Sequence, residues 1–363
     1  MREVHQDMDR RGFMKKGAQA TAAAAATALG TNAVQGAGPD DKKITFTGAL
    51  PTRELGKTGV ELPMLGYGGA ALPSIWGNTL STEGRVKLVR YAYDSGIRYF
   101  DTSISYTYAE SQSIIGKALK DVRDNVFITT KVDFWNMSRP DGRITKVNKK
   151  HVSHQIEKNL SELKTDYIDA VLIHGTPGVQ QMTVEQNLEV LGQLVKAREK
   201  GLVRFVGFSA HSYFDKALAL ISSGGFDLCM LACGYLPRGH DQLFSKKAIA
   251  LRQKCLAKAH ELKMGIAAMK VVGAGIMGAW SGYVVPKFDK KRLKLLPGAA
   301  IRWVLKDKRI NMLCIGMRFR HEIDANIKTL AGDVTFTEAD KALLEDFGPK
   351  ALKSKAMSKM KVE

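Results

Sequence analysis

Cysteine is scarce in this chain. Of 363 residues four are cysteines, Cys229, Cys233, Cys255 and Cys314, and none forms a Cys-x-x-Cys pair with another. Without that spacing, a zinc ribbon or a cysteine-held iron–sulfur cluster is not expected. A Cys229–Cys233 disulfide stands as an alternative to four free thiols, which in such apolar or helical contexts behave as small hydrophobes. Acidic residues are also short, 36 against 55 Lys and Arg, for a net charge of +19. The excess is spread along the chain except at Lys287–Lys294 and Lys350–Lys361. No RNP-type aromatic run, zinc-finger spacing or basic heptad accompanies it, so nucleic acid is not the expected partner. What is present is ordinary: 45% hydrophobic and 25% charged residues. That mixture excludes a disordered, collagen-like or polytopic membrane chain. The length suffices for a large core without disulfides or structural metals.

No charge interrupts Gly17–Gly38, a stretch centred on five alanines, Ala22–Ala26. Before it stands a basic segment containing Arg10-Arg11-Gly12-Phe13-Met14-Lys15. A charged start, a mildly apolar middle and small residues near the end are the parts of an export signal. The paired arginines, with Phe and then Lys shortly after, resemble a twin-arginine (Tat) signal. That resemblance implies the Tat translocase as a partner during export and a periplasmic or other extracytoplasmic destination. Ala, Thr, Gly, Asn and Gln make the stretch too weakly hydrophobic for a stable span, so the mature form is expected to have none. Cleavage after Ala33, Gly36 or Ala37 is equally compatible with the sequence. Residues 1–38 are assigned to the signal peptide and the start of a linker.

Further on, short apolar runs alternate with longer amphipathic stretches. The runs are Pro63–Gly68, Ile97–Asp101, Val126–Val132, Ile168–His174, Val203–Ser209, Phe226–Leu231, Gly265–Lys270 and Ile310–Ile315. Nearly all-apolar runs of this length suit parallel strands covered on the outside. Between them, Val152, Ile156, Leu160 and Leu163 make one helical stripe, and Leu188, Leu191 and Val195 another, stopped at Gly201. Eight such units predict an α/β fold, a (β/α)8 TIM barrel, over residues 51–333. A doubly wound sheet would place a Gly-rich phosphate loop after its first strand; Gly66-Tyr67-Gly68-Gly69 leads into Ala-Ala-Leu-Pro instead. The segment Arg53–Leu62 reads as an N-terminal β-hairpin turning at Lys57–Gly59 and plugging the barrel floor. Residues 334–363 read as a C-terminal helix near Thr337–Phe347 and a frayed basic tail.

Barrel chemistry sits at the C-terminal strand ends. Strand two ends in Asp101, with Tyr106 in the following loop; strand three ends in Lys131 and strand four in His174. Alone, Asp101 is as good a turn cap, Lys131 a surface residue and His174 a core residue. Together they have a chemical logic. A Lys ammonium lowers the pKa of a phenol that otherwise titrates near 10. A carboxylate keeps the Lys charged and in place, and an imidazole polarises a carbonyl or relays its proton. The result is a proton donor for a carbonyl receiving a hydride, and the hydride must come from a cofactor. Tyr108 is a rival phenol; the five-residue spacing from Asp101 favours Tyr106.

Four segments carry a resemblance to the aldo-keto reductase family. They are Tyr99–Tyr106, Ile128–Lys131, Asp166–Asp169 leading to Leu172-Ile173-His174, and Val203–Ser209. The resemblance runs from about Arg53 to Leu330. It implies a barrel that uses NADP(H), or NAD(H), without a metal to reduce a small-molecule carbonyl substrate. Asp101, Tyr106, Lys131 and His174 match its catalytic tetrad, with Tyr106 as general acid. Ser209 matches the serine that holds the nicotinamide amide, and Met230 stands where the family often has Gln. Ala210 replaces a frequent Asn, Thr107-Tyr108-Ala109 a Gly-x-Gly turn, and Ser111-Gln112 a Ser-Glu. Lys270 with Gly273 and Gly275 is expected at the pyrophosphate. Arg318 or Arg320, with Asn326, is expected at the adenosine and its 2′-phosphate, which favours NADP. Trp76, Trp135, Tyr235 and Trp280 are candidate pocket walls or, equally, core. Two alternatives follow from the departures: a nucleotide-binding sensor or regulatory subunit with little turnover, and an enzyme holding its cofactor for internal redox chemistry on sugars.

Overall fold

The structure, a computed structural model, describes residues 44–362 apart from 47, 106–109, 138–143 and 145. The stretch expected to be an export leader, Tyr106 and Tyr108 lie outside the described residues. The strands are β1 (Thr52–Glu54), β2 (Glu61–Pro63), β3 (Leu65–Gly68), β4 (Tyr99–Asp101), β5 (Phe127–Val132), β6 (Ile168–Ile173), β7 (Val203–Ala210), β8 (Leu228–Ala232), β9 (Gln242–Leu243), β10 (Gly265–Met269), β11 (Met312–Ile315) and β12 (Lys361–Val362). Eight of them close a parallel barrel in the order β3-β4-β5-β6-β7-β8-β10-β11. These are the eight apolar runs, with their ends shifted by a residue or two. Strands β5, β6, β8 and β10 are buried at every position, as a layer filled on the inside and roofed by helices requires.

The helical stripes face that layer. Val152, Ile156 and Leu163 of the helix Lys149–Leu163 are buried, and so are Val190, Leu191 and Leu194 of Val184–Glu199. Thr183 and Gln186 start the latter helix with a reciprocal capping box, satisfying two N–H groups that have no partner within the helix.

Inside the barrel, aromatic rings fill the lower layer. Tyr99 stacks on Phe127 with centroids 5.7 Å apart, and Phe127 on Phe205 at 6.0 Å. Below them β1 and β2 pair antiparallel as the expected hairpin. Its turn seals the floor: Leu55 is fully buried, and Asn311 donates to the Glu54 carbonyl at 2.9 Å. Gly56 has φ +54°, and a Cβ there would stand 2.3 Å from the Gly265 nitrogen, so only glycine fits this approach.

The C-terminal segment differs from expectation. The helix runs Glu338–Leu352 and packs Leu343, Leu344 and Phe347 into a second core with Phe288 and Leu296. The lysine-rich residues after it are not frayed: Met357 is fully buried, and β12 pairs parallel with β9. One apolar methionine among lysines is enough to anchor the return, because the lysines stay in water while it is covered. All four cysteines are free and buried, so the Cys229–Cys233 bridge is not formed. Among the described residues no helix is long and apolar enough to cross a membrane.

Asp169 joins the barrel wall to its outer layer. Its carboxylate is fully buried and meets Arg123 at 2.7 Å, Arg204 at 2.8 Å and the Ile128 N–H at 2.9 Å. Removing one member of such a group leaves buried charge uncompensated. Asp169→Ala is expected to destabilise the fold by about 3–5 kcal/mol, read as a lowered denaturation midpoint followed by circular dichroism.

Candidate functional site

Strand alternation and barrel stagger bring the site together. Tyr99 pairs with Phe127 and Asp101 with Thr129 across β4 and β5. Thr129 pairs with Ala170 and Lys131 with Leu172 across β5 and β6. Since every second residue shares a face, Asp101, Lys131 and His174 all point inward. Lys131 stands two residues above Thr129, the partner of Asp101, and His174 two above Leu172, the partner of Lys131, as tilted strands dictate. Lys131 therefore reaches down: its Nζ lies 2.6 Å from Asp101 Oδ1 and donates to the Thr102 carbonyl at 2.7 Å. Both side chains are buried.

Burial pushes the Asp101 carboxyl up, and the Lys131 ammonium opposes that. His174 is held well below its usual value, first by burial and then by Lys131 and His240. It is a neutral imidazole at pH 7, with Ser105 Oγ 3.2 Å from its Nδ1. The site thus combines a charged, paired ammonium with a neutral ring donor.

These groups open into a cavity of about 900 Å³ at the C-terminal end of the strands. Its lining includes Asp101, His174, Met230, Lys270, Gly275, Arg318 and Asn326, together with Trp76, Trp135 and Trp280. Three of the residues expected at the cofactor stand elsewhere. Ser209 is fully buried and its hydroxyl accepts the Gly175 N–H at 2.8 Å. Arg320 leaves the cavity to lie over the Tyr91 ring at 4.8 Å. Gly273 is buried beneath the lining and shapes the turn with φ +59°. Tyr235 packs edge-on against Trp303, 5.6 Å away, within the second core. Ser111 and Gln112 are structural: Ser111 donates to the Gly69 carbonyl at 2.9 Å, and Gln112 bridges Thr130 and Glu162.

Among the lining residues that went unread in the sequence are His211, Arg238 and His240. His211 had a signal, because it continues the inward series Gly207, Ser209, His211. Arg238 and His240 lie in the loop after β8, where no periodicity marks direction.

The cavity suits a dinucleotide. Arg318 spans its mouth, donating to the Trp76 carbonyl at 3.2 Å and stacking 4.8 Å from the Trp280 ring. Its Nε is buried without a hydrogen-bond partner among the described residues, a donor free for a phosphate. Gly275, with φ +90°, lines the turn beside it and leaves the backbone open to close approach.

A closed parallel barrel with ionisable groups gathered at its C-terminal mouth has the architecture of a (β/α)8-barrel enzyme. Residues 64–296 match the model of the aldo/keto reductase family, and the chain belongs to that family. It is 31% identical over 159 residues to the aldo-keto reductase YhdN of Bacillus subtilis, covering 43% of this chain and 45% of that protein. The match with a probable aldo-keto reductase of Glycine max is similar, 30% over 160 residues and 44% of that protein, so the chain spans under half the length of these relatives. L-galactose dehydrogenase of Arabidopsis thaliana is 24% identical over 290 residues, 77% of this chain and 87% of that protein. Among solved structures, the holo form of an aldo-keto reductase from Bacillus halodurans superposes with a TM-score of 0.62 at 17% identity, covering 85% of this chain and 99% of that one. One from Klebsiella pneumoniae in complex with NADPH gives 0.60 at 15% identity, covering 83% and 95%. At such identities the likeness establishes the fold.

Lys131→Met tests the buried pair. With the ammonium gone only burial acts on Asp101, so its folded pKa stays above the unfolded value of about 3.9. Stability is then fully present below that value and is lost as pH rises through the folded pKa. The variant should lose more stability relative to the native chain at pH 8 than at pH 5, up to about 3–5 kcal/mol, in paired denaturant titrations.

Proposed function

We propose that the protein is an NADP(H)-dependent reductase of aldehydes or ketones, acting reversibly, with Tyr106 as general acid. The observation that carries this reading is the buried Lys131–Asp101 pair beside a neutral His174 on one inward face of three adjacent strands. When bound, a reduced nicotinamide supplies the hydride. The chain's own residues manage the proton and the charge. Tyr106 gives its hydroxyl proton to the carbonyl oxygen as negative charge develops there. Lys131 favours the resulting phenolate, and Asp101 keeps Lys131 charged and fixed. His174, neutral, donates a hydrogen bond to the same oxygen without competing for the proton. Arg318 and Asn326 hold the adenosine end, and Arg318 in particular a 2′-phosphate, which favours NADP over NAD. Trp76, Trp135 and Trp280 give the substrate side apolar walls.

The departures keep a second reading in view. Met230 lines the cavity where an amide partner for nicotinamide is expected, and this favours a nucleotide-binding sensor with slow turnover. Purified protein distinguishes the two. Tyr106→Phe should lose carbonyl reduction by about 10²–10⁴-fold while its NADPH dissociation constant, read by fluorescence, stays within a few-fold. Equal turnover by variant and native protein would remove Tyr106 from its role. Binding of NADPH with no turnover across a broad carbonyl panel would favour the sensor.

We further propose that the leader sends the folded chain out of the cytoplasm through the Tat translocase. The support is the Arg10-Arg11 pair ahead of an uncharged, alanine-rich stretch. A double Arg10→Lys, Arg11→Lys variant should remain cytoplasmic in cell fractionation while the native chain is exported; identical fractionation would remove the assignment.

A further inference from the structure

Positive charge gathers on the His174 side of the cavity without an acid to balance it. Lys270 follows β10 in left-handed backbone, φ +61°, a conformation that side chains other than glycine's rarely take and that recurs at functional sites. Gly234 makes this possible, since a Cβ there would stand 2.0 Å from the Lys270 carbonyl oxygen. The Lys270 side chain lines the cavity and has no hydrogen bond or ion pair among the described residues. Burial, reinforced by Arg238, brings its ammonium down to about 8.

Arg238 lines the same wall. It donates to the His240 carbonyl at 3.0 Å and to the Gly273 carbonyl at 3.5 Å, and its buried Nε has no acceptor among the described residues. Two of its five N–H donors are thus engaged and the fork is not filled. His211 and His240 complete the wall, their ring centroids 5.7 Å apart, with His211 6.5 Å from His174. His211 is held neutral by burial and by Lys270, His174, His240 and Lys131 around it, and its buried Nδ1 also lacks a partner among the described residues.

Acids on the cavity lining are already engaged. Asp101 is held by Lys131, and Glu322 accepts the Arg318 and Phe319 N–H groups at the start of the last barrel helix. Half-buried cations without a counter-charge are costly, and an anion that meets them is held strongly.

We infer that Lys270 and Arg238, with His211 and His240 beside them, form an oxyanion subsite for a carboxylate or phosphate carried by the carbonyl substrate. Position separates this subsite from the nucleotide's phosphates. His211 stands 6.5 Å from His174, which puts the cluster beside the reacting end, while Gly275 lies against Trp280 and Arg318 on the side expected for the nucleotide. The inference rests on the reductase reading for its substrate and names that substrate's class: an anionic aldehyde or ketone.

The test compares 4-carboxybenzaldehyde and 4-formylphenyl phosphate with the uncharged isostere 4-carbamoylbenzaldehyde. The native protein should favour one of the anions by about tenfold to a hundredfold in kcat/KM, the favoured one identifying the source of the oxyanion. In Lys270→Met that ratio should fall to about unity. Calorimetry with 4-(hydroxymethyl)benzoate and 4-(hydroxymethyl)phenyl phosphate gives a readout independent of turnover, and binding of the favoured anion should weaken by the same factor. If Lys270→Met does not fold by circular dichroism, Arg238→Gln carries the same expectation. A native protein that neither prefers nor binds either anion overturns the inference. So does a variant that weakens NADPH binding while keeping the anion preference, which would assign Lys270 to the pyrophosphate. Anion binding that depends on Lys270, with no turnover of any aldehyde, would keep the subsite and remove the reductase reading.

Discussion

The structure turns on placing an ammonium and a carboxylate together inside a barrel whose lower interior is aromatic. Neither Lys131 nor Asp101 would tolerate that burial alone, because an isolated charge loses its hydration with nothing in return. At 2.6 Å, with the Thr102 carbonyl as a further acceptor, each compensates the other. The pair fixes the relative height of β4 and β5, since a register slip by one residue would turn one partner to the outer face. Register in the barrel wall and chemistry at its mouth are therefore one constraint.

The barrel separates two tasks along its axis. Stacked Tyr99, Phe127 and Phe205 fill the lower layer, and the hairpin β1–β2 closes the floor beneath them. Water is thereby kept from one end, and the inward-facing charged groups are confined to the other. This is why His174 can be buried yet useful: the apolar layer lowers its basicity, while the cavity gives it something to face. The second core, built from the helix Glu338–Leu352 and the returning tail, leaves that axis untouched and supports the loops after β8 and β10 from outside.

Most of the wall was legible in the sequence because parallel strands covered on both sides have to be apolar throughout, and such runs stand out against amphipathic helices. Asp101, Lys131 and His174 were legible for the complementary reason, as single polar residues ending apolar runs. What could not be read depends on contacts made by loops. Ser209 lies on the expected face, but its hydroxyl is taken up by the Gly175 N–H, a partner that appears only when β6 and β7 are side by side. Arg320 is two residues from Arg318, yet one stacks on Tyr91 and the other spans the cavity, because helix geometry starts between them. Arg238 and His240 belong to a loop without period, so no pattern gave their direction. The tail looked unfolded because charge dominates it, and a single methionine was enough to fold it back.

Electrostatics at the mouth reinforce this division. A reaction that builds negative charge on a carbonyl oxygen gains from fixed positive charge nearby, provided that charge is not spent on a fixed acid. Lys131 is spent in part on Asp101, with the neutral His174 beside the pair. Lys270 and Arg238 are not so spent. Burial first keeps His211 and His174 unprotonated, reinforced by Lys270 at His211 and by Lys131 and His240 at His174, so the ring donors stay neutral while the cations carry the charge. An anion seated on the cations would weaken the field of Lys270 and raise the basicity of His211. Occupancy of the subsite and the protonation of His211 are thus linked through charge alone, without any movement of the barrel.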